Sequence, residues 1–133
     1  MKKVYISYAN EDLKYAQEIS AMLLESNFSV LLVDHTVFNF TDDIADVMLQ
    51  NIKSADTLLC IYSNNTNQSN FVSIELNAAV KRSVPVYIIK LGDVEIDKKN
   101  HFATANSLIL KGSSLNERIS DFKLIVGGGV ING

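Results

Sequence analysis

The chain alternates short, nearly continuous apolar runs with longer segments in which apolar residues recur every three or four positions. Continuous apolar runs between polar turns are typical of buried strands, whereas the three-and-four spacing is typical of helices with one packed face. The pattern therefore predicts strands over 3–8, 29–34, 57–63, 85–91 and 107–111. It predicts helices over 12–26, 41–55, 69–82 and 114–126, with a polar loop over 92–106.

Strands that alternate with helices at this spacing indicate a parallel sheet covered on both faces. Five strands in a chain of 133 residues favour the strand order 2-1-3-4-5. The expected fold class is α/β: a flavodoxin-like three-layer sandwich with a five-stranded parallel sheet. Residues 1–126 are expected to form one domain, and the Gly-rich residues 127–133 a flexible tail or a linker to a further domain, such as a sensor.

Composition narrows the range of partners. A net charge of −3 with 47% hydrophobic residues indicates a soluble globular protein and gives no electrostatic reason to expect nucleic acid or an anionic membrane. The N-terminus lacks the apolar core of a signal peptide, and no apolar run approaches the length of a membrane span. The expected location is therefore the cytoplasm. The single cysteine, Cys60, precludes an internal disulfide.

Several residues are candidates for helix ends. Asn10 is predicted to cap the first helix, with Glu11 and Asp12 placed favourably at the positive end of its dipole. Asn27 lies in the turn after that helix, and asparagine tolerates a left-handed backbone. Ser69 is a candidate cap for the helix over 69–82.

In an open parallel sheet of this order, ligands bind beyond the carboxyl ends of the strands. That rule selects the segments over 7–10, 34–42 and 63–71, together with residues from 91 onward. Glu75 lies early in the helix that follows the third strand, so its side chain leans back toward the same edge. The predicted geometry permits a site containing Tyr8, Asp34, Phe71 and Glu75.

Each of these residues also has a purely structural interpretation. Glu75 could only complement the helix dipole, a contribution of about 0.3–1 kcal/mol. Phe71 could pack in the core or stack on a ligand, and Tyr8 could pack its ring and bond its hydroxyl locally. Asp34 could be a turn residue at the end of a strand. These alternatives remain open from the residues alone.

Other chemistries lack their signatures. Neither a G-x-G-x-x-G nor a P-loop motif is present, and the histidines, His35 and His101, have no partner at metal-ligand spacing. No metal site is expected. Cys60 lies within a strand pattern without an evident histidine, which argues against a thiol nucleophile. A phosphoacceptor receiver domain is excluded because the third strand ends in "YSNN" rather than in an aspartate.

Taken together, three segments resemble the Toll/interleukin receptor (TIR) domain family. "VYISYANED" is similar to its first box, and "LLESNFSVLLVDH" resembles the helix, turn and second strand that follow. "IKSADTLLCIYSNNTNQSNFVSIELNAAV" resembles the later block that carries a glutamate. The likeness covers residues 4 to about 91. The chain differs in having Asn27 for a common glycine, Phe71 for a tryptophan, and Phe38 and Phe40 in the loop after the second strand.

The resemblance implies one of two functions. Some members cleave the bond between nicotinamide and ribose in NAD⁺ with one glutamate, which matches Glu75, and give ADP-ribose or a cyclic variant. The predicted substrate-binding residues are then Ser7, Tyr8, Asp34, Ser69 and Phe71. NAD⁺ would be the substrate, and no cofactor is expected.

The alternative is a non-catalytic scaffold that signals by association with other TIR domains. In both cases self-assembly is expected, in signalling or antiphage defence. Phe38 and Phe40 are the predicted interface residues, since paired exposed aromatics are typical of an interface. A third alternative is an enzyme similar to nucleoside deoxyribosyltransferases, which would act on free nucleosides.

Overall fold

The computed structural model describes residues 1–33 and 42–127, with side chains described from residue 46 onward in the second range. Within these ranges the strands are β1 (Lys3–Ser7), β2 (Ser29–Leu32), β3 (Thr57–Tyr62), β4 (Val86–Lys90) and β5 (Leu108–Ile109). The helices are α1 (Leu13–Glu25), α2 (Asp42–Ser54), α3 (Asn70–Lys81), α4 (His101–Ala105) and α5 (Leu115–Gly127). Short 3₁₀ turns precede three of the helices, at Asn10–Asp12, Thr66–Gln68 and Lys98–Asn100.

The described strands form one parallel sheet in the order β2-β1-β3-β4-β5, which confirms the predicted fold class and strand order. β1 pairs with β2 on one side and β3 on the other, and Ser7 lies opposite Cys60 in the β1–β3 register. The strand order reverses at this β1–β3 pair. Ligands of such sheets bind beyond the carboxyl ends of the strands at this point.

Successive residues of the central strands belong to two different cores. One core contains Tyr5, Leu58 and Cys60 with residues of α2 and α3. The other core contains the neighbouring residues Ile6 and Leu59 with residues of α1 and α5. Because side chains of a strand alternate between faces, this division means that helices cover both faces of the sheet. The predicted three-layer sandwich is therefore confirmed.

The predicted polar loop over 92–106 is wrong in its second half. Residues 98–105 form a 3₁₀ turn followed by α4. The Asp97 side chain accepts a hydrogen bond from the Lys99 amide at 3.1 Å and so caps the turn, while Ala103 and Asn100 are buried. The helix has five residues and too few buried positions for a helical repeat to show in the sequence.

The predicted cap of α1 is also wrong. Asn10 lies inside the 3₁₀ turn, the helix begins at Leu13, and no side-chain hydrogen bond caps it at Asp12. The fifth strand is shorter than predicted, with Leu108 and Ile109 as its only residues in the sheet. Both differences concern element ends, where local hydrogen bonds decide the boundary.

Asn27 has the left-handed backbone expected for it, with φ 66°. It ends α1 in a Schellman arrangement, in which the Phe28 amide bonds the Leu23 carbonyl at 3.1 Å. The end of α3 repeats this geometry with Ser83, at φ 59°, and a Val84 amide that bonds the Ala79 carbonyl at 2.9 Å. Serine is a poor residue for this conformation because its Cβ crowds the backbone.

We expect Ser83→Gly to raise the free energy of unfolding by about 0.5–1 kcal/mol, since glycine removes the steric cost of the left-handed backbone. Urea denaturation of the wild-type protein and the variant measures this difference. Ser83→Ala is the matched control and should give no gain, because alanine keeps the Cβ. An equal gain in both variants would contradict the explanation.

Candidate functional site: a buried glutamate at the switch point

α3 places Glu75 against the sheet. Ser69 caps this helix, as predicted, because its hydroxyl accepts a hydrogen bond from the Val72 amide at 3.3 Å. From this start, the helix buries Val72, Glu75, Leu76 and Ala79 along one face. Glu75 thus lies in the second turn, on the face that packs on β1 and β3, and its side chain is 0% exposed.

Two hydroxyl groups of β1 hold the Glu75 carboxylate. The Tyr5 hydroxyl donates to Oε2, and the Ser7 hydroxyl donates to Oε1 at 2.8 Å. Tyr5 and Ser7 are two residues apart, so their side chains leave the strand on the same face. Both are fully buried. Glu75 is therefore neither a solvated acid at the helix start nor a residue of an open cleft: it is an enclosed carboxylate with a donor on each oxygen.

The charge of Glu75 acts on two buried acids beside it. Burial raises the pKa of the Tyr5 phenol, and the Glu75 charge and hydrogen bond raise it further. Burial likewise raises the pKa of the Cys60 thiol, with smaller contributions from the charges of Glu75 and Asp12. Both groups therefore keep their protons at neutral pH. Tyr5 remains a hydrogen-bond donor, and Cys60 remains an unreactive thiol, as expected from the sequence.

The raised pKa of Cys60 has a consequence for stability. Because the folded state holds the proton more tightly than the unfolded chain, the stabilising contribution is complete below the ordinary thiol value of 9.0 and is lost as pH rises above it. Between about pH 8 and about pH 10.5 the wild-type protein should lose about 2 kcal/mol more unfolding free energy than Cys60→Ala. Urea denaturation at both pH values measures the difference, and equal losses in the two proteins would contradict it.

The structure brings Ser7 and Glu75 together, as the sequence predicted, but it places Tyr8 differently. Tyr8 is 1% exposed and packs in the core on the opposite face of the sheet, with residues of α1 and α5. Its hydroxyl donates to the Val33 carbonyl, just after β2, at 2.7 Å. Phe71 is half-buried and lies one turn before Glu75 on α3. Asp34, Phe38 and Phe40 lie outside the described residues.

Tyr5 was not among the predicted site residues, although the sequence contains a signal for it. The alternation of a strand places Tyr5 on the same face as Ser7, and the predicted strand over 3–8 contains both residues. The rule that places ligands beyond the strand ends does not select Tyr5, because Tyr5 lies within β1.

A second polar cluster, also not predicted, lies where β1 and β3 end. Asp12 was expected to act on the helix dipole, yet it is only 4% exposed. Its carboxylate accepts hydrogen bonds from the Ser63 hydroxyl and, at 3.1 Å, from the side-chain amide of Asn65. The Ser63 amide in turn donates to the Thr66 hydroxyl at 2.8 Å. These bonds join the start of α1 to the connection that leads from β3 into α3.

A third network anchors the segment before α4. The Tyr62 hydroxyl donates to the side-chain oxygen of Asn67 and accepts from the side-chain amide of Asn100 at 2.9 Å. Asn67 also accepts from the Asp97 amide at 2.9 Å and donates to the Glu95 carbonyl at 2.8 Å. This network fixes the chain after β4 against the connection between β3 and α3.

Among the described side chains, which are those of residues 1–33 and 46–127, no group of three or more His, Cys, Asp and Glu is arranged to hold a metal ion. In the same ranges, no helix is both long and apolar enough to cross a membrane.

The fold and the site define a class of α/β domain, which has a doubly wound parallel sheet and a buried glutamate beside the strand pair at which the strand order reverses. Comparison of the sequence with family profiles identifies the family. The family profile described as TIR domain matches residues 4–120. The chain belongs to the TIR domain family, which confirms the resemblance seen in its sequence. A comparison with curated protein sequences finds no match.

Solved structures share this fold at low sequence identity. The Clostridium botulinum CMP N-glycosidase BcmB is 15% identical over 93% of this chain and 99% of its own, with a TM-score of 0.69. A prokaryotic SEFIR domain is 16% identical over 96% of this chain and 91% of its own, with a TM-score of 0.64. The TIR domains of the activated Roq1 resistosome are 15% identical over 99% of this chain and 75% of that one, with a TM-score of 0.57. At these identities the likeness concerns the fold alone.

Proposed function

We propose that this TIR domain is an NAD⁺ glycohydrolase in which Glu75 is the catalytic residue. The observation that supports the proposal most directly is the Glu75 carboxylate itself, with Tyr5 and Ser7 as hydroxyl donors, beside the strand pair where ligands of this fold bind. Membership of the TIR domain family adds to it.

The reaction requires little from the protein beyond a negative charge close to ribose C1′. The bond between ribose C1′ and the nicotinamide nitrogen breaks, and its electron pair returns to the cationic ring, so nicotinamide leaves as a neutral molecule. Water then adds to C1′ and loses a proton, which gives ADP-ribose. The ribose passes through a state with positive charge near C1′, which a carboxylate stabilises by its charge or by hydrogen bonds to the ribose hydroxyls.

The site suits a leaving group that needs no proton. The Tyr5 phenol, which donates to Glu75, has a raised pKa and is a poor proton donor. A neutral nucleoside such as cytidine, in contrast, releases its base readily only when a general acid protonates it. BcmB is an N-glycosidase of CMP, so CMP is the appropriate competing substrate to test.

We assign substrate-binding roles from the positions of the residues. In this proposal Ser7, at the carboxyl end of β1, keeps its bond to the Glu75 carboxylate and accepts a hydrogen bond from a ribose hydroxyl. Phe71 provides an aromatic face one turn from Glu75 for stacking on the nicotinamide. The substrate-binding roles of Ser69 and Asp34 stay predictions from the sequence; the Ser69 hydroxyl caps α3, and Asp34 lies outside the described residues. Tyr8 is left out of the proposed site because its side chain packs on the opposite face of the sheet and bonds Val33.

The burial of Glu75 makes assembly part of the proposal. A side chain that is 0% exposed contacts a substrate only after neighbouring groups have moved. We assign this movement to association with other copies of the domain, for which Phe38 and Phe40 are the predicted contact residues. The isolated domain is then a resting form, and the assembled domain is the active one.

The proposal is tested by incubating the purified protein with NAD⁺ and measuring nicotinamide by chromatography, at increasing protein concentration and with a crowding agent. Nicotinamide release that rises more steeply than protein concentration is expected, with CMP and free nucleosides left intact. Release from CMP or nucleosides but not from NAD⁺ would assign another N-glycosidase activity.

The rival function is a scaffold without catalysis. It predicts no product in any assembly state, together with loss of self-association in Phe38→Ala or Phe40→Ala. Light scattering of these variants beside the activity assay separates the two functions, because an assembled but inactive wild-type protein fits the scaffold alone.

A further inference from the structure

Tyr5 contacts Glu75 and has no role in the proposed function so far. Its side chain is 0% exposed, and its hydroxyl donates to Glu75 Oε2 from the middle of β1. A buried tyrosine could place its hydroxyl on a backbone carbonyl, as Tyr8 does with Val33. The Tyr5 hydroxyl instead donates its hydrogen bond to the carboxylate that is proposed to be catalytic.

The two donors to Glu75 lie at different depths. Ser7 is the last residue of β1 and Tyr5 lies two residues before it, which is about 6.6 Å further from the carboxyl edge of the sheet. A substrate that enters from that edge therefore meets Ser7 before Tyr5. Oε1 therefore accepts from the residue nearer to that edge, and Oε2 accepts from the residue further from it.

We propose that Tyr5 is a positioning residue for NAD⁺ cleavage, which holds Glu75 Oε2 from the interior of the sheet so that Oε1 faces the ribose as an ionised carboxylate. This inference rests on the proposed function and adds a residue to it. Tyr5 does not touch the substrate and acts only through Glu75.

The chemistry of the hydrogen bond between Tyr5 and Glu75 supports this positioning role. A hydroxyl that donates to a carboxylate favours the ionised form, and bonds to charged acceptors are stronger than neutral ones. Tyr5 serves only as a donor here because burial and the Glu75 charge raise the pKa of its phenol. A rigid aromatic ring packed between the sheet and the helices also fixes the donor in space better than a serine hydroxyl, which rotates freely.

The test is Tyr5→Phe, which removes one hydroxyl and keeps the ring. The matched control is Tyr62→Phe, since Tyr62 is an equally buried tyrosine in the same core whose hydroxyl bonds Asn67 and Asn100. Both variants lose buried hydrogen bonds and some stability, so both are assayed well below their unfolding temperatures. Nicotinamide release is measured against NAD⁺ concentration, which gives kcat and KM separately.

We expect Tyr5→Phe to lower kcat about tenfold to a hundredfold and to leave KM for NAD⁺ nearly unchanged. Tyr62→Phe should keep the kcat and the KM of the wild-type protein.

A Tyr5→Phe variant as active as the wild-type protein, or more active, would overturn the inference, as would a loss of the same size in Tyr62→Phe. If the wild-type protein releases no nicotinamide in any assembly state, the proposed function fails and Tyr5 is judged by a double-mutant cycle in urea. Tyr5→Phe and Glu75→Gln should then change the unfolding constant non-additively, by about tenfold. Additive changes would show that Tyr5 does not fix the carboxylate.

Discussion

Glu75→Gln is expected to lower nicotinamide release from NAD⁺ by about a thousandfold, because glutamine keeps the volume of the side chain and loses the negative charge that stabilises the ribose cation. The loss should appear in kcat rather than in KM, since the charge matters most when the C1′–N bond is breaking. Glu75→Asp keeps the charge but shortens the side chain by one carbon–carbon bond, about 1.5 Å. It should also be impaired, because the shorter carboxylate cannot keep both the Tyr5 and the Ser7 hydrogen bonds.

A loss of folding would imitate this result, because Glu75 is fully buried. Circular dichroism and the urea midpoint of each variant show whether the domain is folded under the assay conditions. Glu18→Gln is the matched control: it makes the same change of charge at an exposed position of α1 and should retain full activity. If folded Glu75→Gln released nicotinamide as fast as the wild-type protein, Glu75 would not be the catalytic residue.

The sheet could be predicted from the sequence because its central strands are buried on both faces. β3 reads "TLLCIY" and every residue in it is buried, so its apolar run is continuous and bounded by polar turns. Such runs leave little choice of element type when they alternate with amphipathic helices. α4 was not predicted for the opposite reason: it is a five-residue helix without an apolar period to detect, and the turn before it is held by the Asp97 cap and by the hydrogen bonds of Tyr62, Asn67 and Asn100.

The candidate site was predictable only in part. Helix direction and strand ends were enough to bring Glu75 and Ser7 to one region, and the hydrogen bond between them agrees with that prediction. Strand alternation could have separated Tyr8 from Ser7 and joined Tyr5 to it. The hydrogen bonds that Asp12 accepts from Ser63 and Asn65 join side chains more than fifty residues apart in the sequence, so no local pattern contains them.

Phe122→Ala is expected to lower the free energy of unfolding by about 3–5 kcal/mol, the largest stability change that we predict for this domain. Phe122 is 0% exposed, and its ring lies 5.3 Å from that of Tyr87 in an edge-to-face arrangement and 6.2 Å from that of Phe28. Its removal leaves a cavity between α5 and the sheet. Such a loss is a large share of the 5–15 kcal/mol that stabilises a typical domain.

The result bears on where the domain ends. The TIR domain family profile stops at residue 120, whereas the predicted domain extends to residue 126 and α5 continues to Gly127. If Phe122 supports the fold as strongly as its burial indicates, the last turns of α5 belong to the domain. Leu124→Ala is the matched control on the same helix: Leu124 is 57% exposed, and its loss should change stability by less than about 0.5 kcal/mol. Equal, small effects in both variants would place the end of the stable domain before Phe122.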